Sequence, residues 1–377
     1  MNIIFWQNMK AFHQSAHIRA LADLIDGEVV WVVEEELSSD RQSQGWPVPN
    51  DGNVQVIIKP ENPCINQLVH TSPHNTVHIF SGIGAFPLVK KAFLQASNAD
   101  TLMGLLVENH PRRGIIGFLR FVLHRMNYLR YGKHIDFILA MGYIGDNGGG
   151  NWFRRCGYSD NIIFPYGYFL DAPETYDPIA TQNFNKFNLV FIGRYLHLKG
   201  VDILFEALAS ITNKTWTLKM IGDGPLRNKW KRLSVKHAIE KKIQFIPVMA
   251  NQDAMKIVEA SDLLILPSRF DGWGVVINEA LLRGVPVICS DRCGGQDLLQ
   301  ESWRGETFIS ESAEDLRRIL QKRIDLGPPS SEERIRIRNW AAENTSGHIA
   351  AKYLLDVISH VRGHGPRPVP PWLIKSD

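Results

Sequence analysis

No stretch of this sequence is apolar for long enough to cross a bilayer, and its first residues, MNIIFWQNMK, lack the basic segment and apolar run of an export signal. The expected location is the cytoplasm. Cysteine is scarce. Cys64, Cys156, Cys289 and Cys293 are the full set, and the one close pair has three residues between its members instead of a metal-site or redox spacing. Reduced thiols are favoured over a disulfide framework. Charge of one sign is missing too: 42 Lys and Arg stand against 39 Asp and Glu, and a net +3 argues against nucleic acid as the main partner.

What is present suits two α/β domains, since 377 residues with 44% hydrophobic and 21% charged content exceed one typical core. Short apolar runs at residues 2–6, 28–33, 54–58, 77–80, 102–107, 137–141 and 162–164 alternate with helix-like stretches. This is the rhythm of a doubly wound sheet. It resumes at 188–192, 218–221, 243–248, 262–266 and 285–289. Between the halves, residues 171–187 are polar and proline-bearing and read as a linker.

The chain is organised around residues 267–297, PSRFDGWGVVINEALLRGVPVICSDRCGGQD. A buried-type strand at 262–266 ends at Pro267, and Asp271, Gly272 and Gly274 form a turn. Apolar residues from Val275 follow helical spacing until Arg283-Gly284, and a second strand follows at once. In such a crossover, N–H groups around Gly272 to Val275 face the carboxyl end of the first strand and suit an anion such as a diphosphate. Glu279, a turn into the helix, is placed to accept hydrogen bonds from sugar hydroxyls. Phosphate plus polyol is the indicated ligand. The alternative is an ordinary crossover with a solvated Asp and Glu.

The stretch resembles the signature of the retaining, GT-B-fold glycosyltransferases of family 4, E-G-F-G-x-x-x-x-E-A. Here it reads D-G-W-G-V-V-I-N-E-A, with Asp271 in place of the first glutamate, and a downstream G-G at Gly294-Gly295. Upstream, G-R-x-x-x-x-K-G (Arg194, Lys199) and G-x-G-P (Gly222, Gly224) match in order, and the loop with Val248 and Met249 falls where the family holds its nucleobase. The resemblance implies two Rossmann-like domains, 1–170 and 188–343, facing across an interdomain cleft, with 344–377 crossing back to the first. It implies that Arg194 and Lys199 clamp the donor diphosphate, that Gly272, Trp273, Gly274 and Val275 form its turn, and that Glu279 holds the ribose. Asp271 then faces the transferred sugar, and His110 lines the reaction centre.

Two departures stand out. The loop at 7–17, where the family has a glycine-rich turn, has no glycine and offers Asn8, Lys10, His13 and Gln14 instead. No Asp-x-Asp occurs anywhere, so neither a metal nor another cofactor is expected, and the protein's own cations would neutralise the leaving diphosphate. The most basic segment, Arg112 to His134, reads either as an amphipathic helix on an anionic membrane or as a core-packed helix with a solvated basic face.

The resulting expectation is a metal-independent glycosyltransferase that moves a sugar from a nucleotide-diphosphate sugar to a saccharide or lipid-linked acceptor in surface polysaccharide or glycolipid assembly. It would be cytoplasmic or peripheral on the inner membrane face. A sugar-nucleotide epimerase and a non-catalytic donor-binding subunit are the rivals.

Overall fold

The computed structural model describes every residue except 38, 44, 109–113, 146–147, 174–185, 212–214 and 375–377. The chain clusters into two units. One comprises Met1–Gln42, Pro47–Asp171 and Thr345–Ile374, and the other Ser43–Trp46, Ala172–Asn344 and Lys375–Asp377.

The first unit carries β1 (Asn2–Met9), β2 (Val29–Glu35), β3 (Gln55–Ile58), β4 (Thr76–Phe80), β5 (Leu102–Val107), β6 (Phe137–Met141) and β7 (Ile163–Tyr166). They form a parallel sheet in the order β3-β2-β1-β4-β5-β6-β7. Its helices are α1 (Phe12–Leu24), α2 (Ser39–Ser43), α3 (Asn62–His70), α4 (Pro87–Ala96), α5 (Gly114–Tyr131) and α6 (Gly149–Cys156). Parallel sheets are covered on both faces, which is why β4 and β6 are buried at every residue rather than at alternate ones.

The second unit holds β8 (Phe187–Ile192), β9 (Trp216–Ile221), β10 (Ile243–Ile246), β11 (Leu263–Leu266), β12 (Val287–Ser290) and β13 (Gly305–Phe308), in the parallel order β10-β9-β8-β11-β12-β13. Its helices are α7 (Val201–Ala209), α8 (Arg227–Lys236), α9 (Asn251–Glu259), α10 (Val276–Leu281), α11 (Ala313–Leu326) and α12 (Ser331–Thr345). In this sheet the strand order reverses between β8 and β11. Ligands of open α/β sheets bind beyond the carboxyl ends of the strands at such a reversal.

The last helix, α13 (Gly347–Val361), packs on α1 in the first unit. Contact is close because Gly347 has no side chain: a Cβ there would lie 2.5 Å from the Ala16 carbonyl carbon. Trp372 anchors the tail, fully buried against the rings of Phe169 and Tyr353.

The amino-terminal loop is shorter than the sequence suggests. β1 runs to Met9 and α1 begins at Phe12, so most of the loop expected at 7–17 is taken up by strand and helix. The physical reason is that His13 and His17 belong to its buried face, which reads as polar in sequence. Lys10 is ion-paired to Asp51 at 2.6 Å, and Gln14 accepts a hydrogen bond from Gln7. Three of the four polar residues expected in that loop are thus engaged in the fold.

Candidate functional site

Two turns flank the reversal between β8 and β11. The first, from Gly193 to Gly200, leaves β8 carrying an exposed Arg194 and a half-buried Lys199, and enters α7. Gly200 is needed at its end: φ is +64°, and a Cβ would lie 2.0 Å from the Pro267 carbonyl oxygen. The next turn in the sheet, after β9, supports it from the side. Tyr195 N–H donates to the Asp223 carbonyl at 2.8 Å, and a Cβ on Gly222 would meet the Gly193 carbonyl oxygen at 2.1 Å. Gly222 and Gly224 therefore let this turn approach the first.

The second turn leaves β11 and carries Asp271, Gly272, Trp273 and Gly274 into α10. Asp271 is held through its backbone, donating to the Arg292 carbonyl at 3.0 Å and accepting from Gly294 N–H at 3.0 Å. Its carboxylate meets Lys199 across the reversal, Nζ to Oδ2 at 2.6 Å, with both side chains mostly covered. Residues 72 positions apart are thus brought into one ion pair.

Glu279 lies in α10 and is almost fully buried, accepting a hydrogen bond from Asn251 Nδ2 at 2.8 Å. Burial raises its carboxyl above the usual glutamate range, against the opposing effects of Asn251 and the nearby Arg283. Asn251 opens α9, just after the exposed Val248 and the half-buried Met249. Its role was not legible in sequence, because the contact spans 28 positions and has no local spacing rule.

Two expectations change in detail. The indole of Trp273 is buried and donates to Asn278 Oδ1 at 2.7 Å, so only the backbone of this residue is placed to meet a ligand. Helix α10 has six residues, fewer than the sequence suggests, and its dipole is correspondingly modest. Lys199, 2.6 Å from Asp271, supplies positive charge beside the turn. His110 lies outside the described residues. Glu108, two positions earlier, follows β5 and accepts a hydrogen bond from the Tyr168 hydroxyl.

The raised Glu279 carboxyl has a testable consequence. The folded state holds that proton more tightly than the unfolded state, so wild type loses stability as pH rises above about 4.5 through the folded value. Glu279→Gln keeps the acceptor for Asn251 without the buried charge. The variant should raise Tm by a few degrees at pH 8 while raising the donor's KM. Melting curves at pH 5 and pH 8 check this, and a lower Tm for the variant at pH 8 would contradict it.

This architecture, with two parallel Rossmann-like sheets, is the GT-B fold. The chain superposes on the lipopolysaccharide outer core galactosyltransferase WaaB with TM-score 0.70 at 16% identity, covering 96% of this chain and 99% of that one. On Anabaena HepE in complex with UDP the TM-score is 0.69 at 15% identity, with 96% and 100% covered.

Residues 174–342 match the family model of the glycosyl transferases group 1. It is 25% identical over 169 residues to alpha-D-kanosaminyltransferase of Streptomyces kanamyceticus, covering 44% of this chain and 42% of the relative. It is 29% identical over 182 residues to spore coat protein SA of Bacillus subtilis, covering 45% and 48%. The chain thus spans under half the length of these curated relatives.

Proposed function

We propose that the protein is a retaining glycosyltransferase of family 4 that transfers a hexose from a nucleotide-diphosphate sugar to a saccharide or lipid-linked saccharide. The observation that carries this reading is the Lys199–Asp271 pair at the strand reversal, with Glu279 in the adjoining helix. A cation for the diphosphate, a carboxylate for the transferred sugar and a second carboxylate for the ribose would answer the three parts of one such ligand. HepE, solved with UDP, supports a uridine nucleotide as the first donor to try.

In the reaction, the bond from the anomeric carbon to the diphosphate oxygen breaks, the acceptor hydroxyl oxygen forms the new bond, and the hydroxyl proton passes to the departing diphosphate. Lys199 and Arg194 meet the charge growing on the diphosphate, and Asp271 meets the positive charge growing on the sugar. No step calls for a metal ion. The test is incubation with nucleotide sugars, with and without acceptor and excess EDTA, followed by product analysis. Acceptor-dependent transfer that persists in EDTA is the expected result. Loss in EDTA restored by magnesium would overturn metal independence. A changed donor sugar without acceptor would indicate the epimerase, and donor binding without turnover the partner subunit.

The acceptor side of the proposal includes an anionic membrane surface, met by α5. Eight large apolar residues of this helix, Ile115, Ile116, Phe118, Leu119, Val122, Leu123, Met126 and Leu129, are between 38 and 79% exposed. The opposite side, with Phe121, Tyr128 and Tyr131, packs on the core. Arg125 is exposed but also tied to the fold, donating to the Cys156 carbonyl at 3.0 Å. Arg112 and Arg113 lie outside the described residues.

An apolar face flanked by Arg120 and Arg130 suits the headgroup region of anionic lipid. Co-sedimentation with phosphatidylglycerol vesicles should fall several-fold for an Ile115→Ser/Leu119→Ser variant and fall as salt rises. No binding at low salt would return α5 to a merely exposed helix. The protein would then be cytoplasmic without a peripheral membrane position.

A further inference from the structure

The Lys199–Asp271 pair is held in place by a residue two positions before Asp271. Arg269 leaves β11 on the same turn and reaches across to the turn after β8. Its backbone N–H donates to the Leu198 carbonyl at 2.8 Å, and Nη1 donates to the His197 carbonyl at 2.9 Å. The two ends of its guanidinium meet the two oxygens of Asp202, in the first turn of α7, at 2.8 and 2.7 Å. Glu311 lies on its other edge, 3.6 Å from Nε. The side chain is mostly covered, so these contacts are poorly screened. Arg269 therefore grips the segment on both sides of Lys199: His197 and Leu198 before it, Asp202 after it.

We infer that Arg269 is a positioning residue that sets the distance between Lys199 and Asp271, and so between the diphosphate cation and the sugar-facing carboxylate. This rests on the transferase reading given above. The physical case is the planar fork. Arginine engages a carboxylate through two parallel N–H donors and still has a donor left for a carbonyl, a geometry lysine cannot supply. The fork closes a ring of contacts that runs from Arg269 to the β8 turn, through Lys199 to Asp271, and back along three residues of chain. Without it, Lys199 keeps its charge but loses its fixed place, and misplacement by about 1 Å can cost on the order of a hundredfold in rate.

The test is a double-mutant cycle on the full chain. Arg269→Met should lower kcat about ten- to a hundredfold with a smaller change in donor KM, and Arg269→Lys should not rescue it. Added to Lys199→Ala, the same change should cost less than about twofold, because the residue acts through Lys199. Asp202→Asn should lower kcat in the same direction by a smaller factor, and it replaces Arg269→Met in the cycle if that variant does not fold. Multiplicative losses in the double mutant, or full rescue by lysine, would overturn the inference.

A second readout is independent of the transferase reading. Amide exchange at Lys199 and Gly200, whose N–H groups bond to Leu196 and His197, should quicken in Arg269→Met. Unchanged exchange there would overturn the positioning role even if no transfer is detected in wild type. Absent transfer with quickened exchange would uphold that role and reject the proposed reaction.

Discussion

Lys199→Ala should lower kcat/KM for the donor about ten- to a hundredfold, and Asp271→Asn should lower kcat by a comparable factor with little change in donor KM. The lysine estimate follows from a charge-assisted hydrogen bond of about 1.5–3 kcal/mol. In the proposed reaction Lys199 meets charge that grows as the diphosphate leaves, so its loss would be felt in the transition state more than in the ground state. Asp271 pairs with Lys199 at 2.6 Å, and in the proposed reaction it also faces the transferred sugar.

Because the two side chains touch, the combined variant should cost clearly less than the product of the single losses. Asp271→Glu restores the residue common in the resembled signature, yet its extra methylene must displace the carboxylate or Lys199 from this contact. It should retain more activity than the amide and less than wild type. Steady-state kinetics on these four variants decides the matter, and wild-type turnover for Asp271→Asn would remove this carboxylate from the chemistry.

The second large effect concerns stability in acid. His13, His17 and His78 are buried in the first unit, and burial is the main reason their rings titrate far below 6.5: to about 3 for His13 and His17, and to about 4 for His78. For His78 the structure agrees, since its Nδ1 accepts from Trp6 Nε1 at 3.0 Å and must be unprotonated. The unfolded chain protonates these rings near 6.5, so it binds more protons than the folded chain below that pH. Stability is complete above about 6.5 and is lost as pH falls toward the folded values.

At pH 5 the cost is about 2 kcal/mol for each histidine, or about 6 for the three, comparable to the whole stability of a domain. The first unit should therefore lose stability steeply as pH falls from about 6.5 toward 5. Both ring nitrogens of His17 lack a hydrogen bond, and its neighbours are Phe5, Tyr166 and Phe169. His17→Phe should then raise Tm and flatten its dependence between pH 7 and 5. An unchanged slope would show that His17 titrates in the fold as it does in the unfolded chain, so that burial does not depress its ring.

Much of the architecture was legible because parallel strands are uniformly apolar. Runs such as FILAM at β6 or LLIL at β11 leave little choice of face. The same rule hid other features. β13, GETF, is a short edge strand with one large apolar residue, and it has no periodic signal. The first turns of α1 bury histidines, which pattern reading takes for loop polarity. In α5 the apolar stripe was plain, but its exposure was not, because periodicity reports a face and not what covers it.

The candidate site divides the same way. Asp271, Gly274 and Glu279 are close in sequence and could be read together. The partners that give them meaning could not: Lys199 lies 72 positions from Asp271, and Asn251 lies 28 from Glu279. Only the strand reversal between β8 and β11 brings Lys199 and Asp271 together. Arg269 lay in plain view within the motif stretch, yet its use depends on Asp202 across that same reversal.

The most direct test is calorimetric titration of wild type and Lys199→Ala with a panel of nucleotide-diphosphate sugars, beginning with UDP-glucose. Wild type should bind one of them at a single site, in the presence of EDTA, and Lys199→Ala should bind it more weakly, by up to about tenfold. Equal affinity for both proteins, or no binding of any nucleotide sugar by folded wild type, would contradict the placement of a donor diphosphate at Lys199.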